Sequence, residues 1–149
     1  QKFCHGAVDY EIAYSAVYSC NQRVAEPFRE GRVLLAGDSA HVNNPIGGMG
    51  MNGGIHDAIN LCGKLVEVIR GEADSSILDR YSRQRRKAAV DFVQAQTIQN
   101  KRLLEETDPA VRTAHLRALH DAAADPERAK AFMRRASLAD SLKAAASVT

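Results

Sequence analysis

The chain has 149 residues, 45% hydrophobic and 26% charged, with a formal net charge of +2. That length holds one domain with a real core, and so small a charge argues against nucleic acid or an anionic membrane as a partner. Cys4, Cys20 and Cys62 are odd in number, far apart and without Cys-x-x-Cys spacing, so reduced thiols in the cytoplasm are expected. Neither a signal peptide nor a membrane-spanning segment is expected.

Taken in chain order, Val8, Tyr10, Ile12, Tyr14, Ala16, Tyr18 and Cys20 fall on one face, and Asp9, Glu11, Ser15, Ser19 and Asn21 on the other. Period two over that length predicts a long, half-buried strand from Val8 to Cys20. Pro27 to Gly31 reads as a turn. Arg32 to Ala36 reads as a short apolar strand of the kind buried on both faces. Asn43-Asn44-Pro45 and Gly47-Gly48 mark a loop. From about Met51 to Arg70, Ile55, Ala58, Ile59, Cys62, Leu65, Val66 and Ile69 recur at helical spacing, and Gly71 is placed to end that helix. Everything after Asp74 reads helical. Ser75 or Ser76 is expected to cap a helix reaching about Glu106, with Ile77, Leu78, Tyr81, Ala88, Phe92, Ala95, Ile98 and Leu103 on its apolar side. Asp108-Pro109 and Asp125-Pro126 each pair an N-cap with proline at the first helical position, and open two more helices. The tail from Ala144 to Thr149 is expected to fray.

The most informative stretch runs from Arg32 to Ala58. An apolar strand ends at Ala36, Gly37 and Asp38 follow at once, and a Pro/Gly loop enters a helix. Ligands in α/β folds sit outside the carboxyl ends of strands, and a helix N-terminus there favours negative charge. The stretch therefore reads as half of a site for an anionic or polyhydroxylated cofactor. It resembles the second FAD-contacting motif of the flavoprotein aromatic hydroxylases, the 4-hydroxybenzoate hydroxylase and phenol hydroxylase type. The pattern is matched by Arg32, Val33, Leu35, Ala36, Gly37, Asp38, Ala40, His41, Pro45, Gly48, Gly50, Asn52, Asp57, Ala58, Asn60, Leu61 and Leu65. Departures are Ser39 for the commoner Ala, Met49 for Gln, and Cys62-Gly63 for Ala-Trp.

The resemblance implies the carboxyl-terminal part of an FAD-dependent monooxygenase. Such an enzyme hydroxylates an aromatic ring with NAD(P)H and O₂ through a flavin C4a-hydroperoxide. The implied fold is an α+β or α/β fragment: a long substrate-domain strand, one buried strand of the FAD-domain sheet, then mostly α-helices. Residues 1–30 would end the substrate-domain sheet, 31–73 form the FAD-binding segment and 74–149 a helical region. FAD is the implied cofactor and NAD(P)H a co-substrate. The implied partners are a small aromatic substrate and O₂, with a homodimer as a possible assembly and neither nucleic acid nor membrane. Gly37, Asp38, Pro45, Gly48, Gly50, Met51 and Asn52 would bind the cofactor. Pro45 would also act in catalysis, its carbonyl beside the reactive flavin carbon.

Each residue also has a plainer reading. A Gly-Asp pair alone favours a turn or helix cap; Pro45, Gly48, Gly50 and Asn52 at family spacing favour the ligand role for Asp38. The glycines at 47, 48, 50, 53 and 54 permit close approach of a flat ring, or simply make a flexible helix entry. Gly48 to Gly53 spells Gly-x-Gly-x-x-Gly, but eleven residues from Gly37 to Gly47 separate it from the strand, so it is no dinucleotide fingerprint. Tyr10, Tyr14 and Tyr18 either line a substrate pocket or fill the core face of a sheet. The five histidines make no metal set, and His41 is read as holding the loop by hydrogen bonds. Arg80, Arg83, Arg85, Arg86 and Lys87, interrupted by acids, read as a solvated helix face. Rival functions are a related flavoprotein (a ubiquinone-pathway hydroxylase, an epoxidase or a halogenase) and a non-catalytic helical interaction module.

Overall fold

A computed structural model describes residues 13–149. They are mostly helical, with two small antiparallel sheets, an α+β arrangement. β2 (Arg29–Glu30) and β3 (Val33–Leu34) form a hairpin through Gly31, whose φ of +57° suits the tight two-residue turn. β1 (Arg23–Val24) pairs with β4 (His41–Val42). The bond from Ala25 N–H to the Ala40 carbonyl extends that pairing.

α1 (Met49–Ile69) ends at Gly71, which takes the left-handed conformation. α2 (Ile77–Ala88), a π-helical turn at Ala89–Gln94 and α3 (Ala95–Glu105) run on without a break, the single long helix expected from the periodicity. α4 (Pro109–Ala124) and α5 (Pro126–Ala136) start at their aspartate caps: Asp108 accepts from the Ala110 N–H, and Asp125 from those of Glu127 and Arg128. Entry to α2 differs from expectation. Ser76 is already helical and caps nothing; the Asp74 carboxylate accepts its N–H at 2.8 Å.

The core lies between the hairpin and α2. Phe28, Ala40, Tyr81 and Ala89 are buried together, with Leu34, Leu35 and Leu61 against them. The Tyr81 hydroxyl donates to the Leu35 carbonyl at 2.6 Å, and the Phe28 N–H to Ser82 Oγ at 2.9 Å. A second cluster joins Met49, Val93 and Leu138. It brings α6 (Ala139–Ala146) back onto α2. There Ser141 and Ala145 are buried and the Val148 carbonyl accepts from Arg80 and Gln84, so the tail is tied down where fraying is expected.

Three further expectations need correction. Of the predicted strand Val8–Cys20, residues 8–12, Tyr10 among them, lie outside the described residues. Ala13–Cys20 forms no ladder, and Tyr14 and Tyr18 are exposed. An alternating pattern makes a strand only when another edge pairs with it, and none of the described residues does. The predicted strand Arg32–Ala36 shrinks to Val33–Leu34. Val33 is 64% exposed, because a strand buried on both faces needs two neighbours and the described residues supply one. In α1 the helix is right but its inward face is not the apolar one. Ile55, Ile59, Val66 and Ile69 are exposed, while Met49, Gly53 and Asp57 are buried.

Candidate functional site

Gly37 opens a 3-10 turn, Gly37–Ser39, with φ +59°, a conformation that strains any residue with a Cβ. Its N–H donates to Asp57 Oδ2 at 3.0 Å. The same oxygen accepts from His41 Nε2 at 2.7 Å, and Oδ1 accepts from Arg85 Nε at 2.6 Å. Turn, β4 and α2 thus converge on one carboxylate carried by α1. Asp57 is fully buried and Arg85 only 2% exposed. Burial alone would raise the Asp57 pKa. The hydrogen bonds from His41, Arg85 and Gly37 outweigh it and hold the carboxyl below the ordinary range. Since a carboxylate only accepts, His41 donates through Nε2. The helix meets the turn closely. A Cβ on Gly54 would lie 3.3 Å from Gly37 Cα, and one on Gly53 3.2 Å from His41 Cε1.

Asp38 follows this pinned peptide. Its carboxylate is exposed and has no hydrogen-bond partner among the described residues, so it caps nothing there. An open groove of about 300 Å³ runs beside Asp38 and Ser39, flanked by Arg23 and Val42.

The loop into α1 is held from behind. Asn44 is buried, and its Nδ2 donates to Gln22 Oε1 at 2.9 Å and to the Thr97 carbonyl at 3.1 Å. Its Oδ1 accepts the Ile46 N–H at 3.1 Å, folding an Asx turn over Pro45. The Pro45 carbonyl accepts the Gly48 N–H at 3.1 Å. Gly47 and Gly48 take φ of +101° and +62°, and a Cβ on Gly47 would run into Asn100 Nδ2 at 2.5 Å. Gly48 caps α1 without a side chain. The first N–H groups of a helix lack partners within it, and here no side chain of the described residues takes them up. They lie at the positive end of a helix of 21 residues.

The expected site residues divide accordingly. Asp38, Pro45, Gly48, Met51 and Asn52 are exposed, and Gly37 and Gly50 half-buried. The turn and the start of α1 sit side by side through the Gly37–Gly54 contact. Arg85, read as part of a solvated basic face, is a correction: it is the buried partner of Asp57. Its signal is present, since Leu78, Tyr81, Ser82, Arg85, Ala88 and Ala89 trace one helical stripe. Asn44, Thr97 and Gln22, which hold the Pro45 loop, carry no comparable signal.

An FAD-type cofactor fits this donor set. A free carboxylate can accept from a sugar-like hydroxyl, and unpaired N–H groups at a helix end can receive a carbonyl or an anion. The model of the FAD binding domain family matches residues 1–96, well over half of the chain. The chain belongs to this family, that of the FAD-dependent aromatic hydroxylases its motif resembles. Among relatives, para-nitrophenol 4-monooxygenase of Pseudomonas sp. (strain WBC-3) is 43% identical over 103 residues, 69% of this chain and 26% of that protein. A 3-(3-hydroxy-phenyl)propionate/3-hydroxycinnamic acid hydroxylase of Mycolicibacterium vanbaalenii is 38% identical over 116 residues, 78% of this chain and 20% of that protein. The crystal structure of p-nitrophenol 4-monooxygenase PnpA from Pseudomonas putida DLL-E4 superposes with a TM-score of 0.73 at 38% identity, covering 81% of this chain and 32% of that one. The chain thus spans about a quarter of the length of the curated relatives it matches.

Proposed function

We propose that this chain is the carboxyl-terminal part of a flavoprotein monooxygenase that hydroxylates a small phenolic ring, and that residues 37–52 cradle the FAD. The observation that carries this reading is Asp38: an exposed carboxylate with no partner among the described residues, on a turn that buried groups hold in place. Its carboxylate would accept a ribityl hydroxyl. The N–H groups at Gly50 and Met51, in the unpaired first turn of α1, would receive the polar edge of the flavin ring, with the exposed Asn52 beside them. Gly37, Gly48 and Gly50 would leave room for close approach, and Pro45 would help to hold the flavin ring and place the substrate. Bound FAD, reduced by NAD(P)H, supplies the activation of O₂ for transfer of one oxygen atom to the ring. The exposed apolar stripe of α1 supports placing this chain within a longer enzyme, since such a face is ordinarily covered. Domain limits near residues 30 and 73 belong to the same reading.

The test is Asp38→Ala in the full-length enzyme. FAD should bind about 10- to 150-fold more weakly, the factor for a lost hydrogen bond to a charged group, with circular dichroism unchanged. Unchanged flavin affinity would remove Asp38 from the site.

A further inference from the structure

We propose that Asp57 is a positioning residue for the cofactor: it fixes the Gly37 peptide and thereby aims the Asp38 carboxylate at the ribityl chain. The proposal rests on the Asp38 reading above and adds a residue that does not itself reach the cofactor, being fully buried.

Stability alone does not account for the cluster. A buried ion pair carries a desolvation penalty that can exceed its attraction, and apolar side chains of like volume are often as stable. What an apolar side chain could not supply at residue 57 is an acceptor for the Gly37 N–H. The division of labour between the two carboxylate oxygens fits that task. Arg85 holds Oδ1 at 2.6 Å and so sets the rotation of the carboxylate plane. His41 braces Oδ2 at 2.7 Å, and that oxygen also takes the Gly37 N–H at 3.0 Å. His41 is itself wedged between Gly53, where a Cβ would lie 3.2 Å from its Cε1, and the stacked ring of Phe28. Gly37 occupies the left-handed region, where a glycine peptide has freedom that other residues lack. The hydrogen bond removes this freedom from one side and the backbone of Gly54 from the other. The peptide that leads on to Asp38 is held as well, its Gly37 carbonyl accepting the Ala40 N–H at 2.9 Å, so the two peptides flanking Gly37 together set the direction of Asp38.

The experiment is a double-mutant cycle in the full-length apoenzyme, reading FAD dissociation constants by flavin fluorescence titration and the visible circular dichroism of the bound flavin. Asp57→Asn keeps the shape and removes the charge. It should weaken FAD about tenfold or more and alter the flavin dichroism. In an Asp38→Ala background the same substitution should cost no more than about threefold, because its route to the cofactor is already gone. Additive losses in the double variant would show a general structural role and overturn the proposal, as would wild-type affinity in Asp57→Asn alone. Wild-type affinity in Asp38→Ala would overturn the Asp38 reading, and this proposal with it. Should Asp57→Asn not fold, Gly54→Ala decides. Its Cβ, 3.3 Å from Gly37 Cα, displaces the turn without touching a polar group. The same non-additive pattern with Asp38→Ala is expected, and unchanged affinity or additivity overturns the proposal.

Discussion

The region around Asp57 and the α4–α5 limb are built on opposite principles. Around Asp57, groups far apart in sequence are drawn inside: Arg85 lies 28 residues away and Gly37 20 residues away, and the carboxylate they meet is fully buried. In α4 and α5 no described residue is buried, and Leu116, Phe132 and Met133 are more than half exposed. Those helices rely on local devices, an aspartate cap and a proline at the first position of each. Local devices suffice where a segment need only be helical. Burying charge is costly, and it occurs here where a backbone turn must hold one position.

The sharpest way to break this comparison is Arg85→Ala, which strands the Asp57 carboxylate inside. Loss of one partner of a buried pair should destabilise by about 3–5 kcal/mol in urea denaturation, and a loss under about 1 kcal/mol would show that water reaches Asp57.

Acid comes next. The Asp57 carboxyl titrates below its ordinary 3.8 in the fold, so its contribution is complete above that value. It is lost as pH falls through the lower folded pKa. Unfolding measured from about pH 5 downward should show this acid limb, and Asp57→Asn should flatten it.

Asp125→Ala should cost about 1 kcal/mol, the ordinary worth of an N-cap. The loss should register as faster amide exchange confined to α5, with the amides around Gly37 unchanged. Exchange that spread to the Gly37 turn would couple the two regions and blunt the contrast between them.

The smallest effect should come from Lys101→Ala, which removes the exposed pair with Glu105 at 3.4 Å. Between about 0 and 0.5 kcal/mol is expected, a difference visible only by comparing denaturation midpoints at low and high salt.

Much of this molecule is legible in its residues taken alone. The helix before Gly71, the caps at Asp108 and Asp125 and the long helix past Tyr81 all follow from spacing and capping chemistry, which act within a turn or two of chain. The Gly37-Asp38 motif and its glycine loop are likewise local, and with them the family. Tertiary structure alone decided which way α1 faces. Its apolar residues recur at helical spacing, yet Ile55 and Ile59 turn out and Asp57 turns in. Periodicity reports that a helix has two faces and not which neighbour each will meet. The fate of Arg85 was decided the same way, since its pairing with Asp57 depends on two helices crossing at one point. The short, half-exposed Val33–Leu34 strand and the run Ala13–Cys20, unpaired among the described residues, were also decided there. Strand pattern describes a residue's preference, and burial requires a second edge or face that sequence spacing does not contain.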